Sequence, residues 1–283
     1  LLSNCQTFLK MVQFCIIYIF FMEKKMKKLS IILATILTIC FTSCSKEKVI
    51  INNANDLNGK KIGVQSGTTG ETWVQTNLKD IRLSSFKTGI DAALDLKNGA
   101  IDAVVLDELP ATEIVNKNKD LMIIRDPVFT ENKEEYAIAV KKGNKELLDS
   151  INSTISKIKS NGKYELLISS YMPTDGKINI PVMVSNNNSK ELKLGTNATF
   201  PPFEYVEGKD IVGFDISMGE LIADDFNSKL VVVDMAFDSL IPALSSGSID
   251  FIAAGMSVTE ERKKNVDFSE PYFASEQVII VRK

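Results

Sequence analysis

The sequence predicts an α/β protein built of two similar units, with a ligand cleft between them. Two observations carry this. One stretch occurs twice: Leu96-Lys97-Asn98-Gly99-Ala100-Ile101-Asp102 leads into an apolar run ending at Asp107, and Leu244-Ser245-Ser246-Gly247-Ser248-Ile249-Asp250 leads into one ending at Gly255. Each copy has a helix tail, a glycine suited to the left-handed position after a helix, then Ile-Asp and a buried strand. The chain is also long enough, at 283 residues, for two domains of ordinary size. Ligands of open α/β sheets sit where strands hand over to loops. The cleft therefore takes Asp107 from one side and the 257–262 loop from the other. A single large α/β domain with a chance repeat is the alternative.

Taken in order, the leader comes first. Met22 to Lys28 is a basic n-region and 29–41 an apolar stretch of signal-peptide length, too short to span a membrane comfortably. Thr42-Ser43-Cys44-Ser45 then resembles the lipobox of bacterial lipoproteins, which makes Cys44 a lipid anchor and residue one of the mature chain; Cys40 is a weaker candidate. A transmembrane anchor is the other reading. Residues 1–21 read as translated upstream sequence or as a hydrophobic segment of their own. The division expected is 1–43 leader, 44–55 tether and first strand of lobe 1, 56–132 lobe 2, and 133–283 lobe 1, with a connector at 173–189.

In the body, strands are expected at 61–65, 81–86, 101–106, 121–124 and 136–140, with helices at 71–78, 89–97 and 109–115. Ser66-Gly67-Thr68-Thr69-Gly70 sits at a helix start, where free N–H groups and two hydroxyls can receive an anion; it can equally be a plain N-cap. Asp107 can cap the helix that follows it or face the cleft. The 144–158 stretch is an amphipathic helix, with Leu147, Leu148, Ile151, Ile155 and Ile158 on one face, and 163–169 is another. Residues 178–184 are a strand or a packed loop. The second unit has strands at 192–196, 230–233, 249–253 and 277–281, helices at 215–226 and 237–244, and a short helix capped by Thr259.

Composition excludes several function classes. The net charge is -3, with no general bias toward nucleic acid. There is no histidine, which removes the commonest general base and metal ligand and argues against a zinc hydrolase or a Ser-His-Asp enzyme. The four cysteines all lie in the first 44 residues, so they are no disulfide framework for the body. Neither a metal nor a cofactor is called for.

What remains fits a zwitterionic amino acid. Its carboxylate wants a guanidinium fork with N–H or hydroxyl donors, its ammonium a carboxylate, and its side chain a wall. Arg262, Ser257 and Thr69 can supply the first, Asp107 the second, Phe200 and Phe237 the third. Surface pairing of Arg262 with Glu260 or Asp267, and ordinary core roles for the two phenylalanines, are the alternatives.

At these residues the chain resembles the polar amino acid-binding proteins of bacterial ABC importers, family 3 of the extracellular solute-binding proteins. The resemblance lies in Gly195-Thr196-Asn197-Ala198-Thr199-Phe200-Pro201-Pro202-Phe203-Glu204, in Phe237-Asp238-Ser239-Leu240-Ile241-Pro242-Ala243-Leu244, and in Ala254-Gly255-Met256-Ser257-Val258-Thr259-Glu260-Glu261-Arg262. Leu57 to Val64 and Gly67-Thr68-Thr69-Gly70 match the other lobe. It implies a two-lobed periplasmic-binding-protein-like fold of type II. It also implies a monomeric binding protein, without chemistry, that closes about a hinge on a polar amino acid and docks on an ABC permease at the outer cell surface or in the periplasm. Carried over, Arg262 grips the carboxylate with Ser257 and Thr69, beside Thr68. Asp107 holds the ammonium, Phe200 and Phe237 sandwich the side chain, and Gly255 offers backbone. Asn197, Gln65 and Leu106 lie near the distal end. With no spare acid there, a neutral polar ligand such as glutamine is favoured; Glu204 leaves a basic one open.

The order of the motifs is the reverse of the family's, so the chain resembles a circular permutant with its cut in one interlobe crossover. Only the crossing near 130–140 is then covalent, which implies a soft hinge; a domain-swapped dimer and a cloning or genomic artefact of two tandem genes are the alternatives. The alternatives for function are a cyclohexadienyl or arogenate-type dehydratase on the same fold, which needs an acid over the ligand ring, and a ligand-sensing adaptor domain.

Overall fold

Runs of β-branched residues buried on both faces make the central strands, and the computed structural model describes them within residues 49–174, 176–182 and 189–283. The leader, its lipobox and Cys44 lie outside the described residues, as do 175 and 183–188 of the expected connector. The body is the unit Ile50–Lys283. Its first half holds β1 (Lys61–Gln65), β2 (Arg82–Phe86), β3 (Ala103–Asp107), β4 (Leu121–Ile124), β5 (Glu134–Tyr136) and β6 (Ala139–Lys141). Its second half holds β7 (Glu191–Thr196), β8 (Thr199–Phe200), β9 (Glu204–Glu207), β10 (Asp210–Val212), β11 (Lys229–Asp234), β12 (Phe251–Ile252), β13 (Val266–Phe268), β14 (Phe273–Ser275) and β15 (Gln277–Arg282).

Two five-stranded sheets share one plan, β2-β1-β3-β15-β4 and β11-β7-β12-β6-β13. In each, three parallel strands are followed by one antiparallel strand from the other half of the chain, and then by a fourth strand of the sheet's own half. We call the first sheet with its helices lobe A and the second lobe B. The chain crosses between them twice, through β5 and through β14, and these two crossing strands pair antiparallel to each other.

This corrects three expectations. Strand β15, assigned from sequence to the lobe of residues 133–283, belongs to the sheet of lobe A. Every residue from Gln277 to Val281 is buried, so the strand carries no alternation that would tell which sheet it enters. Both crossings are consequently covalent, and the argument for a hinge held on one side by hydrogen bonds alone, with its swapped dimer, loses its basis. Residues 49–53 form no strand of lobe B: they lead into a turn of 3-10 helix at Ala54–Leu57, where the Ala54 N–H donates to Asp126 of lobe A. The expected strand at 136–140 is two strands, because Tyr136 pairs in the hinge and Ala139 in the sheet. Among residues 176–182 no strand forms.

The helices begin where polar caps allow. Thr68 caps α1 (Thr69–Asn77), Thr88 caps α2 (Gly89–Lys97) and Asn144 caps the long helix Lys145–Ser160, each accepting a backbone N–H from the first turn. Gly99 and Gly247, the paired glycines of the internal repeat, both take positive φ, 75° and 78°, after their helices. The 237–244 helix is resolved into a 3-10 turn, Phe237–Ser239, and a helix, Leu240–Ser246.

Aromatic packing fixes lobe B against the hinge. Phe214 is fully buried, edge-on to Tyr164 at 5.8 Å and stacked on Tyr272 at 5.9 Å. Phe203 meets Phe273 of β14 edge-on at 5.0 Å and Tyr136 of β5 at 5.2 Å. Such pairs add about 0.5–1.5 kcal/mol each beyond the area they bury. The hinge strands are thereby locked to lobe B.

Candidate functional site

The C-terminal ends of the parallel strands in both sheets meet at one place. From lobe A come Gln65 at the end of β1, the Thr68-Thr69 start of α1, and Asp107 at the end of β3. From lobe B come Asn197 after β7, Phe200 and Glu204 on β8 and β9, Phe237, and the Ala254 to Ser257 turn after β12 with Arg262 beyond it. These residues line a cavity of about 10 Å³, room for about one water. An open groove of about 670 Å³, shared by Thr69, Trp73, Glu134, Phe237, Ile241 and Arg262, lies against it.

The lobes touch around this cavity. Gln65 Nε2 donates to Asn197 Oδ1 at 3.0 Å, and Ser66 Oγ to Asp238 Oδ2 at 3.1 Å. Arg262 donates to the Gly67 carbonyl at 2.9 Å and to the Ser257 carbonyl at 2.7 Å, and its guanidinium lies over the Phe237 ring, 5.3 Å from the centroid. It pairs with neither Glu260 nor Asp267, which take Lys263 and Lys142 instead. Gly255 is required by close approach: a Cβ there would stand 2.7 Å from the Phe200 ring.

Ten of the eleven ligand-site residues expected from sequence line the cavity: Gln65, Thr68, Thr69, Asp107, Asn197, Phe200, Phe237, Gly255, Ser257 and Arg262. Leu106 does not. It is buried in the lobe A core against Gly89, because alternate residues of a strand point to opposite faces.

Asp107 occupies the N-cap position of the next helix, Glu108–Lys117, without capping it. Its carboxylate accepts a hydrogen bond from the Tyr136 hydroxyl at 2.5 Å instead. Burial, and then the negative charge of Glu134, push its pKa up to about 7. Glu134 was not singled out from sequence. Its carboxylate accepts from Thr69 Oγ1 at 2.7 Å and from Ser257 Oγ at 2.5 Å, and Gln277 Nε2 lies 3.3 Å away. In sequence it is one acid of a surface-like Lys133-Glu134-Glu135 run, and only the crossing at β5 turns it inward.

Glu204 is the other acid of the site. It is fully buried, lines the cavity, and shares a hydrogen bond with the neighbouring acid Asp215. Burial, and then the charge of Asp215, hold its pKa well above the ordinary range. Asp215 is itself buried, accepting from the Gly255 N–H at 2.8 Å and the Tyr272 hydroxyl at 2.7 Å, and burial raises its pKa to about 6. Two such acids side by side suit a cationic group that brings its own donors.

Residues 192–283, which supply the lobe B side of this cleft, match the model of the bacterial extracellular solute-binding proteins, family 3. Over that segment the chain is similar to this family. Similar curated proteins include an arginine-binding extracellular protein, ArtP, of Bacillus subtilis, 43% identical over 99 residues, which are 35% of this chain and 39% of that protein. A probable histidine-binding protein of Campylobacter jejuni is 41% identical over 97 residues, 34% of this chain and 38% of that one. Among solved structures, an ancestral arginine-binding protein bound to arginine is 52% identical over 29% of this chain and 37% of its own, with a TM-score of 0.29. The chain thus spans under half the length of the curated relatives it matches. Among the described residues no helix is long and apolar enough to cross a membrane.

Proposed function

We propose that the chain is an extracellular binding protein for an amino acid with a cationic side chain, closing on it about the β5–β14 hinge and delivering it to an ABC import permease. The observation that carries the ligand class is Glu204. A buried carboxyl beside a second buried acid, Asp215, is costly to ionise, and a guanidinium or ammonium placed against the pair removes that cost. The names of the arginine- and histidine-binding relatives support the same reading.

In this reading the zwitterion lies across the cleft. Arg262, with Ser257 and Thr69, takes the α-carboxylate, and Asp107 takes the α-ammonium. Phe200 and Phe237 flank the side chain on its way to Glu204. The cavity of about 10 Å³ is far too small for an amino acid, so entry requires the lobes to part and the bound form to be wider than this one. Nothing in this sequence of events makes or breaks a covalent bond. Lipid anchoring at Cys44 and a circularly permuted order of the lobes belong to the same proposal. Since both crossings are covalent, the cut falls outside the hinge.

The test is isothermal titration against the twenty amino acids, on the native protein and on Glu204→Gln. Saturable binding of arginine or lysine that weakens about a hundredfold in Glu204→Gln supports the cationic ligand. Preferential binding of glutamine, unaffected by Glu204→Gln, would return the site to the neutral polar ligand favoured from sequence.

A further inference from the structure

Glu134 holds a set of donors that the mechanism above gives to someone else. Thr69 and Ser257, which should receive the ligand carboxylate, both donate to Glu134 Oε2, at 2.7 Å and 2.5 Å. Gln277 Nε2 faces the other oxygen at 3.3 Å. The three donors come from the start of α1 in lobe A, from the turn after β12 in lobe B, and from the first residue of β15 at the second crossing. The Arg262 guanidinium is close enough to feel the charge of Glu134. The nine-residue helix α1 adds its own positive end.

The backbone that carries Glu134 is tightly fixed. Strand β5 pairs with β14, the Glu135 carbonyl accepts the Val258 N–H at 2.8 Å, and the Met256 carbonyl accepts the Ala137 N–H at 3.1 Å. The carboxylate is therefore presented to these donors by a tether a few bonds long, at a high effective concentration.

We propose that Glu134 is an internal ligand. Its side-chain carboxylate occupies the donor set of the substrate's α-carboxylate and bridges the lobes until a substrate displaces it. This rests on the reading of Arg262, Ser257 and Thr69 as the carboxylate site. A protein carboxylate competing for the same donors lowers apparent affinity by the fraction of molecules in which it is bound. It also keeps the cleft shut when no substrate is present, and it admits only ligands whose carboxylate can replace it.

Two readouts test it, with L-arginine as the probe. In titration, Glu134→Ala is expected to bind L-arginine about tenfold more tightly than the native protein, and Glu134→Gln to move in the same direction. In small-angle scattering without added amino acid, Glu134→Ala is expected to show a larger radius of gyration than the native protein, the two converging when L-arginine is added. Circular dichroism and thermal melting establish that each variant is folded; if Glu134→Ala is not, Glu134→Gln decides both readouts. Affinity that is unchanged or weaker in a folded variant overturns the proposal. If the native protein binds no amino acid, the reading of the cleft fails, and scattering alone then decides the latch: an unchanged radius of gyration overturns it.

Discussion

Lobes A and B are built to one plan and serve the cleft differently. Both order their strands as second, first, third, visitor, fourth, both end a helix on a left-handed glycine, and both bring the ends of their first and third strands to the cavity. Lobe A offers short polar groups on stiff backbone: Gln65, Thr68, Thr69 and Asp107. Lobe B offers bulk and charge: Phe200, Phe237, Glu204 and Arg262. The shared scaffold fixes where a ligand can sit, and the loop residues after each strand decide what it can be. Lobe B also packs on the hinge through Phe203 and Phe214, so in the proposed closure lobe A is the part that swings.

If that division of labour is right, damage to lobe B should cost more than damage to lobe A. Arg262→Ala should weaken binding of the amino acid by roughly three orders of magnitude, because it removes a charge-assisted fork; titration calorimetry reads this directly. Phe214→Ala should lower stability by about 3–5 kcal/mol, the usual cost of emptying a buried aromatic site, and denaturant melting checks it. Thr69→Val in lobe A removes one neutral hydroxyl donor and should cost only about threefold to tenfold in affinity. Equal losses for Arg262→Ala and Thr69→Val would erase the contrast.

The titration of Asp107 gives a prediction in pH. Its pKa is raised from 3.8 to about 7 in the folded chain. The folded state therefore holds a proton that the unfolded chain has released, so the contribution to stability is greatest below about pH 4, declines as pH rises toward 7, and is flat above. Binding runs the other way. The ligand ammonium needs the ionised carboxylate, so affinity should fall up to tenfold per unit as pH drops below about 7. Asp107→Asn should flatten that stability slope, and stability curves between pH 4 and 7 would show it. The smallest effect tests the repeat itself: Gly99→Ala and Gly247→Ala should each cost about 1 kcal/mol and match one another, since both residues sit at positive φ.

Much of this was legible in the chain, for identifiable reasons. The Gly-Ile-Asp repeat marks a helix end and a core strand in each lobe, and the residues after those strands are the ones that line the cavity. Glu134 was hidden because nothing local distinguishes it from its neighbours Lys133 and Glu135; its inward turn is made by the pairing of β5 with β14. Tyr136 reads as a core aromatic, and its hydroxyl finds Asp107 only because the two lobes meet. Strand β15 is apolar on both faces, so its pattern says that it is buried and not in which lobe. The family resemblance puts Leu106 near the distal end of the ligand, whereas the two-residue period of the strand sends it into the core. Contacts within a lobe follow from local pattern, and contacts made by the crossings do not.

The central claim is that the cleft between the lobes binds an amino acid through Arg262. Calorimetric titration of the native protein and of Arg262→Ala with L-arginine tests it most directly. The account predicts saturable one-to-one binding to the native protein and binding weaker by roughly three orders of magnitude to a folded Arg262→Ala. No heat from the native protein with any amino acid, or binding that persists undiminished in Arg262→Ala, would contradict it.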